Sequence, residues 1–304
     1  MSYPKPLAKK SIDKMLSKYT TEKAEKLYQY YEAFANLYGA VFLISAWQIL
    51  KTYNTGITKK EFMEFSSIVR REEHDYRVYE QNEVYSEEEQ ETEYRIIAHR
   101  KLILDGYGSF TRVYSVLESQ MNYPPFIPED LRYYSKIRMP KEWNELKTTI
   151  GNIKAEEKLS KTYVLNRHDI SDLDYYKSEK KKEKIQARAE IPVSERIADA
   201  LFMGIMLGNT SSVSILSHQF DLYNAIPTEN QLNRIINLLM EASNNAHMWH
   251  NFGWTPTDLR KKMGNKAPKS VSFGPGIQKS FADGTLDEDE VKKKLLEMGI
   301  DIVE

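Results

Sequence analysis

The stretch NNAHMWHNFGWTPTDLRKK, from Asn244 to Lys262, gathers the residue types with the most chemistry in this chain. Imidazole nitrogens are common ligands for zinc, and two histidines three apart on a helix share a face. His247 and His250 could therefore supply two metal ligands, with Asp258 the nearest carboxylate for a third. That constellation would suit a metal-dependent hydrolase. The HExxH spacing of a zinc hydrolase is absent, because no glutamate follows His247 and the second histidine arrives one residue early. The competing reading is architectural. Gly253 fits the left-handed residue that closes a helix, and Thr255, Pro256 and Asp258 fit a cap, a first-turn proline and an acidic first turn. On that reading Trp249, Gly253, Trp254, Thr255 and Pro256 form a structural corner.

The elements that would position these residues are mainly helical. Ser194 is a candidate cap for a helix carrying Ile197, Leu201, Phe202 and Ile205, stopped at Gly208-Asn209. A second helix starts near Ser212. Thr228 with Gln231 spells a capping box for a third, which is expected to run on through His247 and Trp249. These make a C-terminal helical bundle. Towards the N-terminus, Ala24, Leu27, Tyr31 and Phe34 fall at helical spacing, an apolar run covers Val41 to Leu50, and Thr58 with Glu61 opens another helix. Tyr76, Val78 and Val84 alternate around Gln81-Asn82, which predicts a β-hairpin. Residues 93 to 118 read as helical with a break near Gly106. The expected fold is mainly α with a small β-hairpin, organised as a winged-helix-like part over 1–158, a charged connector over 159–192, and the bundle with a tail helix over 193–304.

Helices followed by a hairpin suggest DNA docking. The cations available to phosphate are Lys59, Lys60, Arg70 and Arg71, with Lys180, Lys181, Lys182 and Lys184 from the run KSEKKKEKIQAR. Against this, Glu61, Glu64, Glu72 and Glu73 share the same helix region, and Glu83, Glu87, Glu88, Glu89, Glu91 and Glu93 follow it. Such a surface offers polyanions no net attraction. Overall, 43 basic and 44 acidic residues leave a net charge of -1.

Other chemistries are set aside by what is missing. With no cysteine there is no disulfide, thiolate metal site or cysteine nucleophile. No phosphate-cradling glycine loop or serine elbow occurs. The segment ADGTLDEDE would place Lys279 and Phe281 at the first and third ligand positions of an EF-hand, where oxygen ligands are required. No cofactor is expected. The longest apolar runs are about half the ~20 residues a membrane helix needs, so the expectation is a cytoplasmic protein without a membrane partner.

Asn245, Trp249, Gly253, Thr255, Pro256 and Leu259, within NNAHMWHNFGWTPTDL, carry a resemblance. This motif and the tail SFGPGIQKSFADGTLDEDEVKKKLLEMGI resemble uncharacterised cytoplasmic Firmicutes proteins related to those with a SEC-C metal-binding motif. LYGAVFLISAWQILKTYNTGITKKEF is similar to the same group. The zinc of SEC-C proteins is held by cysteines and histidine, and this chain has no cysteine to receive it. The resemblance brings no activity. The sequence therefore points to a non-enzymatic binding or regulatory protein acting through another protein, with a link to phage or other mobile elements; nucleic-acid binding is the alternative, and a metal-dependent hydrolase the second alternative.

Overall fold

The computed structural model describes residues 3–85, 91–103, 110–153, 192–208, 211–263, 270–271, 292 and 301–302. The chain forms two compact units, Met1–Pro256 and Thr257–Glu304. In the second, the described residues are the remainder of a helix ending at Met263, Lys292, and two short strands, β4 (Ser270–Val271) and β5 (Asp301–Ile302), paired in parallel. The expected tail helix and the ADGTLDEDE segment lie outside the described residues.

The first unit is mostly helical with a three-stranded antiparallel sheet. After α1 (Lys9–Leu16) comes α2 (Thr21–Tyr38), whose first turn is fixed by the Thr20 hydroxyl accepting from Lys23 N at 3.2 Å. Leu27, Tyr31, Phe34 and Leu37 recur at helical spacing and are fully buried. Gly39, at φ +71°, ends the helix and releases the chain into β1 (Ala40–Phe42). Helices α3 (Leu43–Leu50) and α4 (Lys59–Val69) follow, α4 opening with the Thr58–Glu61 capping box.

Strand β2 (Tyr76–Tyr79) is where the alternation predicted it, but no hairpin turns at Gln81-Asn82. Those residues open a short helix, α5 (Gln81–Tyr85), which carries Val84. The partner of β2 is β3 (Ile96–His99), inside the segment that reads as helical from sequence. Sheet order is β1-β3-β2, with Val41 and Val78 both opposite Ile97.

Every residue of β3 is buried, because it is the central strand and both sheet faces are covered. Alternation sorts the two faces. Val41, Val78 and Ile97 belong to a core with α2, α3 and α4. Ala40, Tyr79, Ile96 and Ala98 belong to a second core, shared with α6 (Thr111–Gln120), α7 (Glu142–Gly151), α8 (Val193–Leu207), α9 (Ser212–Leu222) and α10 (Glu229–Asn245). The helices before and after the 159–192 segment thus share one core, with Trp143 of α7 edge-on to Phe202 of α8. The first compact unit accordingly runs on to Pro256.

The outer edge of β2 is closed by side chains. Val78 N donates to the Tyr3 hydroxyl at 3.3 Å, and Val78 O accepts from Arg70 Nη1 at 2.6 Å. An edge strand blocked in this way is a poor template for pairing with another chain.

In the C-terminal helices, the Thr228–Gln231 capping box forms as its spacing predicts, and Gly208 at φ +64° closes α8. Ser194 is not a cap: α8 begins at Val193, after Pro192, so Ser194 already lies inside the first turn. The larger departure is at α10, which ends at Asn245. Ala246 turns extended, and residues 247–253 form a compact loop closed by Gly253 N donating to Met248 O at 3.0 Å.

Candidate functional site

The loop from His247 to Pro256 seals the joint between the two cores. Trp249 is completely buried, and its indole Nε1 donates to Asn36 O at 2.8 Å. Its ring passes so close to Gly39 that a Cβ there would lie 2.4 Å from the indole Cγ. Gly39 therefore has two reasons to be glycine, the positive φ and the approach of this ring. Phe202 meets the indole edge-on at 5.8 Å between ring centres, and His99 lies 4.9 Å from it. The buried Gln120 amide donates to Tyr38 O at 2.7 Å and to Trp249 O at 3.0 Å, tying the loop to the ends of α2 and α6. Gly253 has φ +82°, as its sequence context predicts, though it closes this loop rather than a helix; a Cβ there would meet Tyr38 at 2.9 Å. Trp254 Nε1 donates to Pro124 O at 2.8 Å. Thr255 is buried, and Pro256 is the first residue of α11 (Pro256–Met263).

The two histidines do not share a helical face, because α10 ends before either of them. His247 packs on Phe126 and Tyr134, with Nδ1 2.6 Å from Gly253 O and Nε2 2.9 Å from the Tyr134 hydroxyl. A carbonyl only accepts, so Nδ1 carries the hydrogen, and in the neutral ring Nε2 then accepts from the tyrosine. The lone pair a metal would need is already engaged. His250 instead lies beside Gly208 at the end of α8, with its backbone N donating to Met206 O at 3.2 Å. Burial pushes the His250 imidazole below its ordinary pKa. Asp258 is in the first turn of α11, with Lys261 Nζ at 3.6 Å. Among the described residues, no three histidine, aspartate or glutamate side chains gather as a metal site.

The proposed phosphate-binding cations are also dispersed into local pairs. Lys59 pairs with Glu93 at 2.7 Å, and Lys60 lies 3.9 Å from Glu64, which itself pairs with Lys18 at 2.9 Å. Arg70 is turned inward. It forms two hydrogen bonds to Glu83, lies 3.5 Å from Glu80, and faces the Tyr3 ring at 5.4 Å. Arg71 follows α4 and engages the chain through its backbone, accepting from Leu7 N at 2.9 Å. Lys180, Lys181, Lys182 and Lys184 lie outside the described residues.

One surface feature escaped the sequence reading. An open cleft of about 670 Å³ lies between α7, α8 and the 133–139 segment, with Trp143 and Phe202 in its wall. Trp143 stands at helical spacing from Leu146 and Ile150, and all three are buried. Nothing local, however, marks Tyr133, Arg138 and Lys147 as sharing a cleft with α8, from which they are more than 40 residues distant in the chain.

No protein-family model, curated protein or solved structure matches the chain. No helix among the described residues is long and apolar enough to cross a membrane.

Proposed function

We propose that this chain is a non-enzymatic binding or regulatory protein that works through protein contacts, with a winged-helix-like unit joined to a helical bundle. The winged-helix reading is supported by the order α2-β1-α3-α4-β2-β3 and by the strand order β1-β3-β2 with both pairs antiparallel. In that arrangement α4 takes the place of the DNA-reading helix and the β2–β3 connection that of the wing.

The observation that carries the protein-contact reading is the charge balance of α4. Lys59 is matched by Glu93, Lys60 shares Glu64 with Lys18, Glu61 of the same helix adds a further carboxylate, and Arg70 is enclosed with Glu80 and Glu83. Phosphate binding needs uncompensated cations, because its free energy comes largely from releasing counterions. A charge-balanced face suits a protein partner whose own charges complement it.

Two measurements test this. In affinity purification of the tagged full chain under mild conditions, a specific protein partner is expected; recovery of none would remove the basis of the reading. In anisotropy titrations with labelled duplex DNA and RNA, no tight, steeply salt-dependent binding is expected. Binding that weakens by about a thousandfold or more between 50 and 200 mM salt, and that is lost in a Lys59→Ala, Lys60→Ala double variant, would establish the nucleic-acid alternative instead.

A further inference from the structure

We propose that the cleft between α7, α8 and the 133–139 segment binds an acidic peptide segment of a partner protein, anchored by an apolar or aromatic side chain. This rests on the protein-contact reading and specifies the chemistry of the partner. The lining is mixed: Trp143 and Phe202 meet edge-on in the wall and are nearly buried, while the apolar surface open to a ligand comes from the half-buried Ile137 and Met139 and from Tyr133, which is 56% exposed. Aromatic and arginine side chains contribute disproportionately to protein recognition because they combine a large contact area with few freedoms to lose.

Charge selects the occupant. The Arg138 guanidinium lies 4.2 Å from the Tyr133 ring centre, and its Nε donates to Tyr133 O at 3.0 Å, so the cation is held in place before any ligand arrives. Neither Arg138 nor Lys147 has an ion-pair partner among the described residues. The third cation of the cleft, Lys101, is neutralised by Asp199 and covers the Phe202 ring at 5.6 Å. That leaves two uncompensated positive charges beside the apolar surface of Tyr133, Ile137 and Met139. Glu195 is the opposing charge in the lining. It sets the direction, because carboxylates on the ligand are drawn to the Arg138 and Lys147 side and repelled from α8. The cleft is open to solvent, so a peptide segment can enter it without the protein rearranging.

The test is titration of the full chain with a fluorescein-labelled eight-residue peptide alternating acidic residues with phenylalanine and leucine. A matched peptide with lysine at each acidic position and a single-stranded oligonucleotide serve as rivals. The acidic peptide is expected to bind saturably below about 1 mM. The Arg138→Glu, Lys147→Glu double variant is expected to weaken it about tenfold or more, and Glu195→Gln to tighten it about twofold. All three positions are exposed, so the variants retain the core, and unchanged thermal melting checks this. The inference is overturned by failure of the acidic peptide to bind, by preference for either rival, or by binding that the double variant leaves unchanged. If a captured protein partner is recovered equally well by the double variant, the protein-contact reading survives and the cleft assignment fails.

Discussion

Trp249→Ala is expected to destabilise the first unit by about 4 kcal/mol or more, because it opens a large cavity where the two cores meet and the loop after α10 is anchored. Large-to-alanine changes at buried aromatic sites cost about 3–5 kcal/mol. Here the indole is fully buried, and Gly39, Phe202 and His99 surround it. Its loss also leaves Asn36 O without its donor, which adds about 1–3 kcal/mol if the carbonyl stays dry. Against a typical total stability of about 5–15 kcal/mol, that is a large fraction. Trp249→Phe keeps a ring and loses the donor, so its cost is expected to be smaller, about 1–3 kcal/mol. Urea midpoints for both variants check this. A loss below about 1 kcal/mol for the alanine variant would mean that the corner does not hold the cores together.

Acidification is expected to destabilise the protein through His99. This side chain is 4% exposed, and its Nδ1 accepts from Lys101 N at 3.1 Å. Burial, with the nearby Lys101 cation adding to it and Asp75 opposing it, lowers its pKa to about 4. The folded state thus resists a proton that the unfolded chain accepts at its ordinary value of about 6.5. Stability is therefore full above pH ~6.5, falls as pH drops through that value, and stops falling on this account below about pH 4. A shift of this size corresponds to a loss of roughly 3 kcal/mol. In His99→Asn, which retains an acceptor but does not titrate, this part of the pH dependence should vanish. Equal slopes of stability against pH in both proteins between pH 6.5 and 4 would show that His99 is not responsible.

How far the sequence foretold this arrangement depended on whether the deciding contacts were local. The Thr58–Glu61 and Thr228–Gln231 boxes formed, because a capping box is complete within four residues. Gly208 and Gly253 took positive φ for equally local reasons. Strand β3 was invisible as a strand. Ile96-Ile97-Ala98 is a continuous apolar run because both of its faces are covered, and such a run has no period to distinguish it from a buried helix. For the same reason the partner of β2 was sought next door, at Gln81-Asn82, when it lies beyond a short helix.

At the corner the backbone departs from the helix that periodicity predicts. Periodicity carried α10 past Asn245, whereas the chain breaks there so that His247 can reach Tyr134 and Phe126, more than 100 residues earlier in sequence. Once the helix ends, the three-residue spacing of His247 and His250 loses its meaning as a ligand pair. The α4 cations show the converse. Their neighbouring glutamates already implied weak attraction for phosphate, and the structure adds the partners, Glu93 for Lys59 and Glu83 for Arg70.

The central claim is that the histidine, tryptophan, glycine and proline corner is architecture. Thermal melting of the full chain with EDTA and across a series of zinc concentrations tests it most directly. A ligand that binds only the folded state adds about 2.7 kcal/mol at a hundred times its Kd, enough to raise Tm by about 5–10 °C in a unit of this size. The account predicts the same Tm with chelator and with zinc. A Tm that climbs with zinc and no longer does so in His250→Gln would contradict it and make the corner a metal site.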